Sequence, residues 1–407
     1  MVPGDIVSVE VTGIVPGGAG IARHQGRALF VRHSAPGDRV RVRIRRVRGS
    51  WAEAAILEIL EASPRRVRPR CPLRSEAGTE GCGGCSFQHL DYGFQREAKA
   101  AMLRESFGRL GGLSWETPRV LPSSPWEYRN RVQFHAVRSG GETPPRAESS
   151  RAESPRVGFK SSGGAESRVI PVHDCPIADP GIRALLRSGE LEAPAGRDRF
   201  TVYSREGMTL REDGRSRGRV RLRDRELLMD AGLFFQSNAA MLELLIGDLV
   251  RLAAAADRSL PLADLYSGVG TFAAFLSPCF PRTELLEENR AALALARQNV
   301  DSGDYKFHAL TDNEWVKIQE SERQAPRYGL IVADPPRQGL SPPLRRWLAR
   351  GPAPLLAYVS CDPATLARDS GELVRGAWEL VDLACYDCYP QTAHIESLAL
   401  FRNRHDR

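Results

Sequence analysis

The sequence predicts an α/β protein, with a doubly wound parallel sheet in the C-terminal part preceded by a small β-barrel and a mixed α+β region. From about residue 238, apolar strand-like runs alternate with amphipathic helical runs, a pattern typical of doubly wound sheets. Residues 4–60 contain short alternating strands separated by Gly and Pro, which indicates a barrel. We therefore expect three domains, at residues 1–62, 63–235 and 236–407.

The predicted barrel is strongly basic. In RVRVRIRR the valines and Ile44 share one face of a strand, and arginines occupy the other face: Arg39, Arg41, Arg43 and Arg45. Residues 1–70 hold 13 Arg against 6 Asp or Glu, so this block carries the whole net charge of +7. Guanidinium groups bind phosphate through pairs of hydrogen bonds. The block therefore indicates a nucleic-acid partner, with a merely solvated charged face as the alternative.

The middle region carries a candidate metal site. Cys82 and Cys85 form a C-x-x-C pair, and Cys71 and Cys175 complete a set of four thiols. Eight cysteines in a cytoplasmic protein favour metal binding or catalysis over disulfides. Four thiolates can bind a metal tetrahedrally, and the spacing alone favours zinc.

Two further segments of the middle region have distinct patterns. Residues 90–110 predict a helix that could pack on the C-terminal domain. Residues 139–168 are rich in Ser, Gly and Pro and repeat RAES, so we expect a long flexible loop inserted between two strands. No apolar run approaches the roughly 18 residues of a membrane span. The chain starts with an acidic, alternating segment unlike a signal peptide, and we expect a cytoplasmic monomer without a membrane partner.

The candidate site lies at the carboxyl ends of the C-terminal strands, where ligands bind in such sheets. In DLYSGVGTF, Gly268 and Gly270 let a ligand approach the backbone. Glu287 follows Gly268 by 19 residues, at the next strand end, and can hold both hydroxyls of a ribose. The pattern Gly268-x-Gly270-x-x-Ala273 fits dinucleotide-binding loops, so a nicotinamide oxidoreductase and an S-adenosylmethionine methyltransferase are both open at this point.

Three further residues carry reactive groups at the same sheet edge. Asp334 follows a strand in ADPPR, where two prolines stiffen the turn and leave the carboxylate facing a pocket. Cys361 follows a strand in VSCDPATLARD, with Asp362 as the expected N-cap of a helix. We expect the helix N-terminus to lower the pKa of this thiol. Glu396, in YPQTAHIES, is expected on a loop between the last two strands.

A thiol and a carboxylate beside a methyl donor suit the methylation of uracil at carbon 5. A thiolate that adds to carbon 6 makes carbon 5 nucleophilic, and a base then removes the carbon 5 proton. Cys361 and Glu396 fit these two roles. An enzyme that methylates exocyclic amino groups, or an RNA-binding protein with an idle methyltransferase domain, would need neither residue. The target base must leave its stack to reach the site.

VSCDPATLARD and YPQTAHIES resemble the nucleophile and base motifs of the RNA uracil-5-methyltransferases. The resemblance implies that Cys361 is the nucleophile, Glu396 the proton acceptor, and the C-terminal domain a class I methyltransferase fold. FFQSN and DLYSGVGTF resemble segments that contact S-adenosylmethionine, with the ring of Tyr266 stacked near the donor. The donor site implied by the family comprises seven residues: Gln236, Tyr266, Gly268, Gly270, Thr271, Glu287 and Asp334. The pair Cys385–Cys388 has no counterpart there and is interpreted as packing.

The N-terminal half resembles the same family. Residues 1–60 are similar to a TRAM domain, an RNA-binding barrel related to the OB-fold. The set of Cys71, Cys82, Cys85 and Cys175 resembles the ligands of a 4Fe–4S cluster, which would order the central domain or help hold RNA. Members with both features resemble enzymes that act on 23S ribosomal RNA, so ribosomal RNA is the expected substrate and transfer RNA the alternative.

Overall fold

The computed structural model describes residues 1–75, 80–137, 157–162, 168–212, 216–301, 303–322 and 327–406. The chain forms two compact units. The first comprises Met1–Ala98, Ser124–Ser216 and Tyr389–Ala393, and the second comprises Lys99–Ser123, Arg217–Cys388 and His394–Arg407. The predicted boundaries at residues 62 and 235 stay predictions, since the barrel and most of the middle region belong to one unit.

The first unit begins with a closed five-stranded barrel, as predicted. Its strands are β1 (Ile6–Ile14), β2 (Gly20–His24), β3 (Arg27–Val31), β4 (Arg39–Arg48) and β5 (Trp51–Glu61). They close in the order β1-β2-β3-β5-β4, with β3 and β5 parallel. The alternate residues of β4 that were predicted to face inward, Val40, Val42 and Ile44, are buried in the barrel core. The arginines between them are exposed.

The middle of the chain contributes to both units. Its elements are β6 (Gly81–Cys82), α1 (Tyr92–Ser106), a π-helical turn at Phe107–Gly111, β7 (Arg119–Leu121), β8 (Arg131–Ala136), β9 (Val157–Ser162), β10 (Val169–Pro171), α2 (Pro180–Ser188), β11 (Arg199–Arg205), β12 (Met208–Arg211), β13 (Arg217–Leu222) and β14 (Arg225–Asp230). Strands β10-β9-β8-β11-β12 form an antiparallel sheet in the first unit, with β6 paired to β9. β13 and β14 form a hairpin in the second unit.

One expectation about this region was wrong. Residues 139–168 were expected to form a single flexible loop, but Val157–Ser162 is a strand between β8 and β10. Val157 is buried in the core of this sheet and Phe159 packs against it, so two apolar side chains outweigh the loop-like composition around them. The remainder of the expected loop, residues 139–156 and 163–167, lies outside the described residues.

The second unit contains the predicted doubly wound fold. Its remaining elements are α3 (Ala239–Ala254), β15 (Leu262–Leu265), α4 (Thr271–Leu276), a 3-10 turn at Ser277–Cys279, β16 (Thr283–Leu286), α5 (Arg290–Asn299), β17 (Tyr305–His308), α6 (Asp312–Ser321), β18 (Leu330–Ala333), α7 (Pro342–Leu348), β19 (Leu355–Ser360), α8 (Pro363–Arg375), β20 (Trp378–Tyr386) and β21 (Glu396–Asn403). The apolar strands β15, β16 and β18 are fully buried, as expected for a sheet covered by helices on both faces.

The strand order determines what meets at one edge of this sheet. The order is β17-β16-β15-β18-β19-β21-β20-β7, and the strands from β17 to β19 are parallel. β21 is antiparallel to β19, so its first residue lies beside the carboxyl end of β19. The loops after β15, β16, β18 and β19 therefore share an edge with the start of β21. Across the described ranges, no helix combines the length and apolarity that a membrane span requires.

Candidate active site

The loop after β15 needs glycine at two positions for different reasons. Gly268 has a φ of +55° and Gly270 has a φ of +78°, a region that other residues rarely adopt. A Cβ atom on Gly270 would also lie 2.9 Å from the Cβ atom of Ala296 on α5. A Cβ atom on Gly268 would meet no atom of the described chain within 4 Å. The space above Gly268 is therefore open to a ligand.

Glu287 stands at the end of β16 with both carboxylate oxygens held by backbone amides. The amide of Gly268 donates to Oε2 at 3.0 Å, and the amide of Asn289 donates to Oε1 at 2.8 Å. The carboxylate thus joins the glycine loop to the start of α5, where Asn289 is the N-cap. Each oxygen retains lone pairs that can accept further hydrogen bonds.

Tyr266 is held in an unusual conformation at the end of β15. Its φ is +62°, and its hydroxyl donates to Oδ2 of Asp312 at 2.5 Å. The amide of Ser341 donates to the same oxygen at 3.3 Å. Burial and the hydrogen bond to Asp312 raise the pKa of Tyr266. Asp312 had no place in the predicted site, although Thr311 and Glu314 around it form the capping box that begins α6.

Two aspartates belong to adjacent strands of the sheet: Asp264 is buried within β15, and Asp334 is partly exposed directly after β18. Asp334 follows β18, and its amide donates to the carbonyl of Leu265 at 3.2 Å. Asp264 lies within β15, where Oδ2 accepts from the amide of Ala273 at 3.0 Å and Oδ1 has no partner among the described residues. Burial raises the pKa of Asp334 and of Asp264 to about 7, and the charges of Asp334 and Glu287 contribute to the value for Asp264.

Cys361 and Glu396 lie opposite each other at the end of two adjacent strands. The last pair of β19 and β21 is Ser360 with Ser397. One step further in this antiparallel register places Cys361 beside Glu396. Glu396 also pairs with Tyr386 of β20, so it lies between two strands and is only 2% exposed. The expectation that Glu396 lies on a loop was wrong, because the strand begins at this residue.

The expected effect of the helix on Cys361 was also wrong. Asp362 is the N-cap of α8, with its carboxylate accepting from the amides of Ala364 and Thr365, and Pro363 is the first helical residue. The pKa of Cys361 is nevertheless raised to about 11. Burial is the main cause, and the negative charges of Glu396 and Asp334 add to it, while the positive charge of Arg337 opposes them. Glu396 shares this environment, since burial and Asp334 hold its pKa well above the ordinary value.

The other predicted donor residues lie in the same unit. Gln236 lies in the segment that joins β14 to α3, and its side chain is buried. Its Oε1 atom has no hydrogen-bond partner in the described part of the chain. Asn238 fixes the segment beside it by capping α3 and by donating to the hydroxyl of Ser123 at 2.9 Å. Thr271 is the first residue of α4 and is half-buried.

The four cysteines predicted to bind metal all lie in the first unit. Burial raises the pKa of every thiol, to about 12 for Cys85 and about 11 for Cys175. Negative charge on other thiols of the set raises the pKa values of Cys82, Cys85 and Cys175. The positive charge of Arg129 lowers the same three pKa values. The thiols therefore lie within electrostatic range of one another. Over the described ranges, however, no three Cys, His, Asp or Glu side chains converge as ligands of a single metal ion.

Comparison with known proteins identifies the family. The model of the tRNA (uracil-5-)-methyltransferase family matches residues 212–404, and that of the TRAM domain matches residues 2–57. An RNA methyltransferase of Treponema denticola is 32% identical over 408 residues, covering 93% of this chain and 94% of the relative. The 23S rRNA (uracil(1939)-C(5))-methyltransferase RlmD of Alkalilimnicola ehrlichii is 31% identical over 454 residues, covering 98% and 97%. The chain belongs to the RNA uracil-5-methyltransferase family.

A solved structure supports the fold of this methyltransferase. The tRNA (uracil-54, C5)-methyltransferase of Pyrococcus abyssi, crystallised with S-adenosyl-L-homocysteine, superposes with a TM-score of 0.70. The match covers 97% of this chain and 100% of the other at 22% identity. The predicted family and fold are thus confirmed, and the chain is an S-adenosylmethionine-dependent RNA methyltransferase.

The geometry of the methyltransferase site suits S-adenosylmethionine. The open space above Gly268 can admit a ligand next to the backbone. Glu287 presents a fixed carboxylate beside that space, which suits a group with two adjacent hydroxyls such as a ribose. The unpartnered Oε1 atom of Gln236 is a buried acceptor of the kind that a bound ligand satisfies.

Proposed function

We propose that this methyltransferase methylates carbon 5 of a uridine in 23S ribosomal RNA through a transient bond between Cys361 and carbon 6 of the base. The observation that carries this proposal is the cross-strand placement of Cys361 and Glu396, which brings one thiol and one buried carboxyl group to the same point. Methylation of an exocyclic amino group would need neither side chain.

The protein's own side chains account for the sequence of bond changes. Cys361 first gives its proton to solvent water, and its thiolate adds to carbon 6, so that the electrons of the C5–C6 double bond move toward the carbonyl oxygen at carbon 4 and carbon 5 becomes nucleophilic. S-adenosylmethionine, when bound, supplies the electrophilic methyl group and a positive charge. After carbon 5 has gained the methyl group, Glu396 removes the remaining carbon 5 proton. The electron pair of that C–H bond restores the ring double bond and expels the Cys361 thiolate.

The raised pKa values of Cys361 and Glu396 bear on their proposed roles as nucleophile and base. A carboxyl group with a raised pKa is a stronger base than an ordinary carboxylate once it is ionised, which suits Glu396 for removing a carbon-bound proton. The thiol of Cys361 is protonated in the free protein, because its pKa lies at about 11. At neutral pH only a small fraction of Cys361 is therefore thiolate before the substrates bind.

Seven residues are proposed to hold the methyl donor. Glu287 would accept hydrogen bonds from the ribose hydroxyls, and the loop of Gly268 and Gly270 would run alongside the donor. Gln236 would supply its buried amide oxygen. Three more residues complete the proposed set: Tyr266, Thr271 and Asp334.

The cysteine set is proposed to bind a 4Fe–4S cluster. Cys71, Cys82, Cys85 and Cys175 form an all-thiolate donor set, which iron–sulfur clusters and zinc both accept. The proposal is supported by the mutual electrostatic influence of the thiols, since charges on other members of the set raise the pKa values of Cys82, Cys85 and Cys175. Measurement of iron, sulfide and zinc in anaerobically purified protein tests this point, and zinc without sulfide would contradict it.

One relative that covers nearly the whole chain favours ribosomal RNA as the substrate. The relative from Alkalilimnicola ehrlichii is named for a uracil of 23S rRNA. Transfer RNA is the second candidate, because the matching family model and the solved structure are both named for tRNA. Mass spectrometry of 5-methyluridine in separately purified 23S rRNA and tRNA, with and without the gene, distinguishes the two substrates.

A Glu396→Gln variant tests the covalent route. With the base removed, methyl transfer should proceed and elimination should stall, so that the enzyme stays bonded to RNA and migrates as an adduct in a denaturing gel. Cys361→Ala should give neither adduct nor product, and it serves as the matched control. Activity of Cys361→Ala, or absence of the Glu396→Gln adduct when RNA still binds, would contradict the mechanism.

A further inference from the structure

The arginines of β4 fall into two groups. Arg39 forms an ion pair with Glu61, and Arg41 forms one with Glu58 at 2.9 Å. Both partners stand opposite on β5. Both arginines lie on the exposed face of β4, as the predicted stripe requires, and their charge is matched by carboxylates. The capacity of the barrel for phosphate is therefore concentrated further along β4.

The far end of β4 lies beside the start of β3. The amide of Ala28 on β3 donates to the carbonyl of Ser50, in the turn between β4 and β5, at 3.2 Å. Four arginines belong to this end: Arg23, Arg27, Arg46 and Arg48. None of the four forms an ion pair with any residue that the structure describes, although Glu53 stands opposite Arg46 in the strand register.

An aromatic pair lies on the outer face of the barrel at the same end. The rings of Phe30 on β3 and Trp51 on β5 are 5.6 Å apart between centroids, with their planes at 60°. Leu29 and Ala52, which alternate with them along the strands, point into the core, so Phe30 and Trp51 point outward. Both of these outward side chains are half-buried. Trp51 is one of the few large aromatic side chains that the barrel leaves accessible.

The strand registers place Trp51 in a row between two arginines, whereas Phe30 pairs with Ile21 and Glu53. Ala28 pairs with Arg23 on one side and with Trp51 on the other, and Trp51 pairs with Arg48. Neighbouring strands are about 4.8 Å apart, so this row from Arg23 to Arg48 spans roughly 14 Å. The small side chain of Ala28 leaves room beside the indole. The surface thus combines an aromatic face with positive charge on both sides.

We propose that this surface, the Trp51 platform formed by Phe30, Trp51 and the four arginines, binds an unpaired segment of the RNA substrate by stacking a base on Trp51. The inference rests on the RNA substrate of the proposed function. Aromatic faces combined with basic grooves bind single strands, because every unstacked base offers a π-face and every nucleotide a phosphate. A duplex keeps its bases stacked inside and would offer only its phosphates.

Binding of the full-length protein to an unpaired RNA oligonucleotide tests the platform. Trp51→Leu keeps an apolar side chain on the barrel but removes the aromatic face, and it should weaken binding about 5- to 150-fold. Trp51→Phe keeps a stacking surface and should stay within about 3-fold of the wild type. The same oligonucleotide annealed to its complement should show little difference between the two variants. Phe30→Leu, with thermal unfolding of every variant, provides a second measurement if Trp51→Leu folds poorly.

The salt dependence of binding tests the arginines. Arg46→Ala with Arg48→Ala should reduce the slope of log affinity against log salt by up to about 0.7 for each phosphate that these arginines neutralise in the wild type. The matched control is Arg39→Ala with Arg41→Ala, which removes the same charge from the paired end and should change the slope little. Equal effects of the two double variants, or unchanged affinity of Trp51→Leu for unpaired RNA, would overturn the proposal.

The Trp51 platform and the proposed methylation of 23S rRNA can fail independently of each other. If the wild type fails to methylate carbon 5 of uridine in 23S rRNA, the proposed function fails, but the binding comparison remains valid. If the wild type methylates and Trp51→Leu binds like the wild type, only the platform fails. A correct platform predicts that saturating RNA restores the turnover of Trp51→Leu.

Discussion

The position of Glu396 opposite Cys361 makes a quantitative prediction for the variant Glu396→Gln in the absence of substrates. Residues directly opposite across an antiparallel pair have Cβ atoms about 4.5–5.5 Å apart. Two unit charges about 5 Å apart interact by about 3 kcal/mol at an effective dielectric constant of about 20, which corresponds to a change of about two in pKa. Because burial is the larger cause of the raised pKa, removing the carboxylate should lower the pKa of Cys361 from about 11 by less than this and leave it above its ordinary value of 9.

The expected change in reactivity is smaller than the change in ionisation. At a fixed pH below both pKa values, each fall of about one in pKa raises the thiolate fraction about 10-fold. A thiolate of lower pKa is also less nucleophilic, with a Brønsted coefficient of about 0.4–0.5, so the net gain in rate is about 3-fold for each fall of about one in pKa. Because Glu396 has a raised pKa of its own, the difference between variant and wild type should grow as the pH rises and more of the wild-type carboxyl groups ionise.

Alkylation by iodoacetamide, followed by mass spectrometry of the peptide that contains Cys361, measures this effect from about pH 7 to pH 10. Glu288→Gln removes an exposed carboxylate outside the cross-strand pair and should alkylate like the wild type. An equal or slower rate for Glu396→Gln at every pH would refute the electrostatic coupling between the two residues, and with it the account of why the thiol is protonated in the free enzyme.

Three further predictions concern stability and donor binding. Lys99→Met should lower the free energy of unfolding by about 3–5 kcal/mol, because it breaks a fully buried ion pair at 2.6 Å and leaves the charge of Asp387 uncompensated. Denaturant titration measures this loss. The double variant Lys99→Met with Asp387→Leu should recover much of it. Burial and nearby arginines lower the pKa of His33 from 6.5 to about 4. Between these two pH values the unfolded chain binds a proton at His33 that the folded chain does not. The free energy of unfolding should therefore fall by up to about 3 kcal/mol as the pH falls from 6.5 to 4. His33→Asn should flatten this part of the stability curve, and an unchanged curve would exclude His33 as the cause. Gly270→Ala should lower the melting temperature more than Gly268→Ala, because only the Gly270 substitution would create a contact at 2.9 Å. Gly268→Ala should instead weaken donor binding, which calorimetry measures. The reverse ranking would contradict the loop geometry.

The sequence predicts those parts of the site that depend on local pattern. Apolar runs followed at once by a polar residue place Glu287 and Asp334 at strand ends, because the period of a buried parallel strand and its end can be recognised without knowledge of its neighbours. The cap of α8 follows from Asp362 and Pro363 for the same reason. The alternation in RVRVRIRR separates the core and surface of β4 without further information.

The failures arise where distant residues meet. A lowered pKa for Cys361 follows from the helix that begins after it, but Glu396 and burial, neither of which its own segment reveals, have the larger effect. The pairing of Arg41 with Glu58 depends on the register between two strands, which the sequence of either strand alone leaves undetermined. The strand at Val157–Ser162 forms because β8 and β10 offer it partners on both sides.

The edge strand β7 has a consequence for synthesis and for truncation. It pairs in parallel with β20, roughly 250 residues further along the chain. At about 5–20 residues per second, a ribosome needs roughly 10 to 50 seconds to make the partner after β7 has emerged. During that interval β7 has no sheet to join, and a protein that begins at residue 212, where the family match begins, would never acquire it. Such a fragment would leave the backbone of β20 at Ala384–Tyr386 unpaired along one side, so we expect it to aggregate more readily than the full chain.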